Sequence, residues 1–113
     1  MEPAAPIVDH FQCYKVKVTT TTAALPATGV TVEDQFGTLS TDLKKLKYVC
    51  APVNKNNEEP GAEANTGYLT CYQQKSLTAF TKVTPVYAAN QFGNETMDVI
   101  KPFVLCLPAA RLP

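Results

Sequence analysis

Three short blocks occur twice in this chain, in the same order. Cys13-Tyr14, Gln35-Phe36-Gly37 and Cys50-Ala51-Pro52 return as Cys71-Tyr72, Gln91-Phe92-Gly93 and Cys106-Leu107-Pro108. The glutamine lies 15 positions before the second cysteine in both copies, and the first cysteine lies 22 positions before the glutamine in one copy and 20 in the other. Spacing matched in this way marks a duplicated unit, which restricts the fold to architectures in which like pieces stack or pair. The expected organisation is one domain over residues 1–113, with internal repeats at 9–53 and 67–108, an exposed linker at 54–66 and tails at 1–8 and 109–113. A chain of 113 residues can bury one core but not two independent ones, so the units are expected to share it.

At a shift of 56, Val30, Gln35, Phe36, Gly37, Asp42, Lys45, Cys50 and Pro52 are each met by an identical residue. These are framework positions. Gly37 and Gly93 follow an aromatic at the end of a strand-like run and suit a tight turn with positive φ, which glycine adopts without a Cβ penalty. Pro52 and Pro108 are expected to close the cysteine strands, because proline has no N–H to donate to a continuing ladder. Period-two alternation at 11–18 and 30–37 reads as strand, as do the long cysteine segments, and residues 68–75, 81–90 and 97–107 repeat the series. Linker 54–66, rich in Asn, Glu, Pro and Gly, lacks an apolar anchor and is expected to be mobile. The fold class that follows is all-β: a six- to eight-stranded antiparallel sandwich or flattened barrel of two pseudo-symmetric tandem units related by a two-fold axis, each covering the other's apolar face.

Four cysteines without a Cys-x-x-Cys motif point to two disulfides made in an oxidising compartment. Four thiols allow three pairings. Cys13 with Cys50 and Cys71 with Cys106 keeps each bridge inside its own unit, as a single ancestral copy would require, and is the expected arrangement; spacing alone leaves the other two open. Intervals of 37, 21 and 35 residues fit no zinc site, and His10 is the one histidine, so no metal or other cofactor is expected.

Ten basic and ten acidic residues give a formal charge of zero, and no basic stripe is interleaved with aromatics, which argues against a nucleic-acid partner. Lys44, Lys45 and Lys47 read as the wet side of a strand or as edge protection. No stretch is long and apolar enough for a membrane span, and residues 1–9 lack the apolar run of a signal peptide, so the start reads as a processed terminus. Residues 25–29, Leu-Pro-Ala-Thr-Gly, match the pentapeptide cleaved by sortases, but a strand follows instead of an apolar span and basic tail, so they read as a turn. Asn94-Glu95-Thr96 is a candidate N-glycosylation site beyond a turn. His10 beside Cys13 suggests a catalytic pair only if the cysteine is free, and the acidic residues Glu33, Asp34, Glu58, Glu59 and Glu63 do not fall into a calcium-loop spacing. No catalytic residue is assigned. Tyr14 and Tyr72 occupy equivalent positions and read as framework; Tyr68 and Tyr87 are not equivalent and are the candidates for surface contact.

The segments 9–17 (DHFQCYKVK), 32–37 (VEDQFG) and 49–55 (VCAPVNK), with 69–72, 90–93 and 101–108 in the second half, resemble an uncharacterised repeat module of exported bacterial proteins. The resemblance covers nearly all of residues 9–108 and implies export and a disulfide-stapled β module. That family has no established activity, so no functional residue carries over. Gln73-Gln74 and the short loop at 76–78 depart from the basic strand of the first copy. The expected role is a non-enzymatic, exported β module, extracellular or periplasmic and in some settings cell-surface associated, that works through other protein subunits or self-association. The alternatives are a carbohydrate-binding or adhesion module and a secreted inhibitor.

Overall fold

The computed structural model describes residues 10–19 and 27–112. The tail at 1–8, Asp9 and the first two residues of the sortase-like pentapeptide lie outside them. The described residues are all-β, with seven strands in order: β1 (His10–Lys15), β2 (Ala27–Asp34), β3 (Gly37–Val53), β4 (Gly67–Ser76), β5 (Val83–Asn90), β6 (Gly93–Val99) and β7 (Val104–Ala110). Five of them form an antiparallel sheet ordered β1-β3-β4-β7, with β2 beside the first half of β3; β5 and β6 form a second, two-stranded sheet. The result is a sandwich-like slab of 42 × 39 × 19 Å, whose thin dimension accommodates two sheets at the usual spacing of about 10 Å.

Pairing recurs at the 56-residue shift. In β2·β3, Val30 faces Thr41 and Asp34 faces Gly37; in β5·β6, Val86 faces Met97 and Asn90 faces Gly93. Both hairpins carry a bulge at the same place, between Ala27 and Val30 and between Val83 and Val86. Both turn alike: the Asp34 and Asn90 side-chain oxygens each accept the N–H of the aromatic two residues on, at 2.8 Å, and Gly37 and Gly93 both have φ 139°. The Gln-Phe-Gly blocks are therefore turn chemistry, in which Asp or Asn fixes the reversal and glycine supplies a φ that other residues resist.

The cystines pair as Cys13–Cys50 and Cys71–Cys106. Each joins directly opposed residues with a Cα separation of 3.9 Å, the close spacing of a non-hydrogen-bonded pair. The flanking bonds agree, since Val16 N–H reaches the Lys47 carbonyl and Arg111 N–H the Thr66 carbonyl, both an odd number of residues from the cystines.

The strand order changes the expected symmetry. Three antiparallel neighbours in a row make β1 parallel to β4 and β3 parallel to β7. Opposed residues share a face, and Cys50 faces Leu69 while Tyr48 faces Cys71, so all four cysteines lie on one side of the sheet. The two units are therefore related by a step across the sheet, and not by the expected two-fold axis. Three further expectations are corrected. The third strand of the second copy is interrupted at residues 100–103, because Pro102 stands where the first copy has Leu46; Phe103 leans instead towards Tyr48, with ring centroids 6.5 Å apart. Pro52 and Pro108 lie inside β3 and β7, which continue to Val53 and Ala110. They are tolerated because each sits at a non-hydrogen-bonded position towards its cystine-linked neighbour, so the missing N–H faces the other way. Linker 54–66 is also anchored, by a one-turn helix at Ala62–Ala64 that buries Ala62.

Candidate functional site

Only six of the described residues are buried: Thr41, Leu43, Cys50, Pro52, Ala62 and Cys71. They lie along the middle of β3 and β4, the strands flanked on both sides, with Ala62 covering one end. The Thr41 hydroxyl is fully buried and donates to the Lys75 carbonyl at 2.9 Å, closing the ladder between them. The cystines show the same gradient. Cys50 and Cys71 are 3% and 2% exposed with their sulfurs 3.9 Å apart, whereas Cys13 and Cys106, on the outer strands, are exposed.

Among the described residues the outer strands of the larger sheet leave two open edges: β1 pairs only with β3, and β7 only with β4. Their backbone groups are fixed by parity. Because Cys13 and Cys106 are non-hydrogen-bonded towards their partners, the N–H and C=O of Phe11, Cys13 and Lys15 point outward from β1, and those of Val104 and Cys106 point outward from β7. Exposed apolar side chains line both edges, Phe11 on one and Leu107 on the other.

The β5·β6 hairpin carries the second group of exposed apolar residues. Tyr87 and Phe92 are 74% and 77% exposed, and Met97 is exposed as well. Its turn clasps the linker: Gln91 donates to Glu58 at 2.7 Å, Lys55 bonds Glu58, and the Lys55 ammonium lies 4.8 Å from the Phe92 ring centroid. The hydrogen bond from Lys55, followed by that from Gln91, holds the Glu58 carboxyl below the usual carboxylate range. The bulges are held by the repeat-equivalent aspartates. Asp42 accepts the Gly29 N–H at 2.9 Å; Pro85, which stands where the first copy has Gly29, offers no N–H, and the hydroxyl of neighbouring Thr84 bonds Asp98 instead.

Of the residues singled out from sequence, Tyr87 is the surface aromatic expected, while Tyr68 is half-buried in β4 opposite Ala109. The Tyr14 hydroxyl donates to the Gln12 side chain at 3.0 Å. Asn94 is exposed just past the second turn. Cys13 is spent in a disulfide and leaves His10 without a thiol partner. The lysines at 45 and 47 meet Lys15 and Lys17 around a shallow cleft, with Val16, Leu46 and Tyr48 between them. An apolar hollow of about 230 Å³ lies between Phe36, Leu39, Phe80 and Pro102, below the roughly 300 Å³ at which small-molecule sites begin. Among the described residues no three His, Cys, Asp or Glu side chains gather as a metal site would need, and no helix is long and apolar enough to cross a membrane. Which strands form the edges was not legible in the sequence, because it depends on the order of the strands in the sheet. Comparison with family models, with curated proteins and with solved structures finds no match for this chain.

Proposed function

We propose that this chain is a non-enzymatic, exported β module that acts by joining other protein subunits, as a structural or accessory piece of an extracytoplasmic complex, filament or cell surface. The observation that carries the reading is the contrast between a rigid, doubly stapled sheet and how little of it is covered: six buried residues against eleven exposed large apolar ones among those described. Unpaired strand edges provide main-chain groups for a partner strand. Two cystines support an oxidising location, since cytosolic thiols are kept reduced. The resemblance to an exported repeat module points the same way.

The test is the mass of the protein as it occurs in native material, by size exclusion and electron microscopy. Particles well above the 12.3 kDa of the chain are expected. Native protein that is strictly monomeric and retained on polysaccharide would move the assignment to carbohydrate binding through Tyr87 and Phe92.

A further inference from the structure

The geometry points to the identity of one partner: a second copy of this chain, added head to tail, with β7 of one copy pairing antiparallel to β1 of the next. This rests on the assembly reading above and specifies its contact. The chain already contains the proposed junction. Inside the sheet, β3 of the first unit pairs with β4 of the second, with Cys50 facing Leu69, Val49 facing Thr70 and Tyr48 facing Cys71. By the repeat correspondence β7 is the second unit's β3, and β1 is the first unit's β4. Transferred at shifts of 56 and 58, those pairs become Cys106 facing Phe11, Leu105 facing Gln12 and Val104 facing Cys13 of the next copy.

Three features of the edges fit. Hydrogen-bonding parity agrees, because the outward backbone groups on β7 are those of Val104 and Cys106 and those on β1 are Phe11 and Cys13, the very residues that would oppose one another. Faces agree as well, so the junction would continue the row of sulfurs across the sheet. Burial supplies the third. The inner members of the row, Cys50 and Cys71, are covered by flanking strands, whereas Cys13, Cys106 and the Phe11 side chain are exposed for want of one; Leu69, the internal counterpart of Phe11, is half-buried. The contact is shorter than the internal one. Pro102 stops β7 before it reaches the stretch matching Thr41–Leu43, and β1 ends at Lys15, so association is expected to be weak and concentration-dependent.

Because the two surfaces differ, the contact is heterologous and does not close on itself. Four strands per copy at about 4.8 Å advance the assembly by roughly 19 Å per chain, and strand twist of roughly 20 to 25° turns it by about 80 to 100°, giving a ribbon of about four copies per turn.

The decisive experiment blocks each edge separately in the full oxidised chain. Phe11→Pro removes an outward N–H from β1, and Val104→Pro removes one from β7, with neither N–H used in the internal ladder. By sedimentation velocity, the unmodified chain is expected to grow in mass with concentration, and each variant alone to stay monomeric. An equimolar mixture is expected to form a one-to-one dimer and nothing larger, since one free β7 then meets one free β1. Retained cystines and an unchanged circular dichroism spectrum verify folding; if either proline variant unfolds, Phe11→Lys and Leu107→Lys replace them, with the apparent dissociation constant of the edge contact expected to rise at least about tenfold. An unmodified chain that remains monomeric at millimolar concentration overturns the self-pairing, as does a single blocked variant that still dimerises, or a mixture that does not. Monomeric pure chain alongside large native particles sinks only this inference; monomer in both sinks the assembly reading too.

Discussion

Removal of either cystine is expected to cost nearly the same stability, although the loops they close have different contents. The Cys13–Cys50 bridge spans 37 positions and the Cys71–Cys106 bridge 35. The chain-entropy relation gives about 4 kcal/mol for each and a difference under about 0.1 kcal/mol between them. The packing contributions match as well: each bridge has one buried sulfur, Cys50 or Cys71, and one exposed, so replacement by alanine adds a loss on the order of 1 kcal/mol in either case. The assay is equilibrium denaturation in guanidinium of the paired variants Cys13→Ala with Cys50→Ala, and Cys71→Ala with Cys106→Ala. A total of about 5 kcal/mol is comparable to the whole stability of many small domains, so either pair is expected to lie near its unfolding midpoint without denaturant. The two buried sulfurs touch at 3.9 Å, so removing all four cysteines is expected to be non-additive. A loss below about 2 kcal/mol for either pair, or a gap above about 1 kcal/mol between them, would refute the reasoning that loop closure within each unit accounts for most of the stabilisation.

Three other outcomes follow from the turns, the bulges and the clasp. Gly37→Ala and Gly93→Ala are each expected to lower stability by about 1 kcal/mol through backbone strain alone, because φ is 139° and a Cβ would meet open space; thermal melts showing no change would contradict this. Asp42→Ala is expected to cost about 1 kcal/mol and to speed hydrogen exchange at the Gly29 amide, which loses its acceptor, while an unaltered Gly29 rate would count against that role. Glu58 has a lowered folded-state pKa, so its contribution is complete above the ordinary carboxylate range, near about 4.3, and is lost as pH falls through the lowered value. NMR of the Gln91 side-chain amide should show the clasp opening only in that acidic window, and an opening near neutrality would exclude Glu58 as its cause.

Strand content was legible because its signals are local. Alternation at residues 30–37, the glycine after each aromatic and the paired cysteines all act over a few positions, and the structure uses them as such. The cystine pairing followed from a property of the repeat, namely that a unit must be complete before it is copied. What escaped was the relation between units. A two-fold and a lateral step bury the same apolar residues of one copy, and only the pairing of β3 with β4 distinguishes them. Pro102 was visible, yet its effect depends on where the ladder would have continued. Ala62 shows the reverse error: a small apolar residue in a polar linker carries little signal until a neighbouring strand lies beneath it. Asp42 and Asp98 stood out as identical residues, but their task became clear only once both bulges were in view.

The placement of the cystines also governs how the molecule would transmit tension. A pull between Cys13 and Cys106 travels through sulfur across each unit and bypasses residues 14–49 and 72–105, leaving only the twenty residues 51–70 to pay out. Their extended reach is about 70 Å, whereas the reduced chain between the same two cysteines would lengthen to about 330 Å. Oxidation thus holds the domain to about a fifth of the reach of the reduced chain, with β5 and β6 carried as slack that never bears the load.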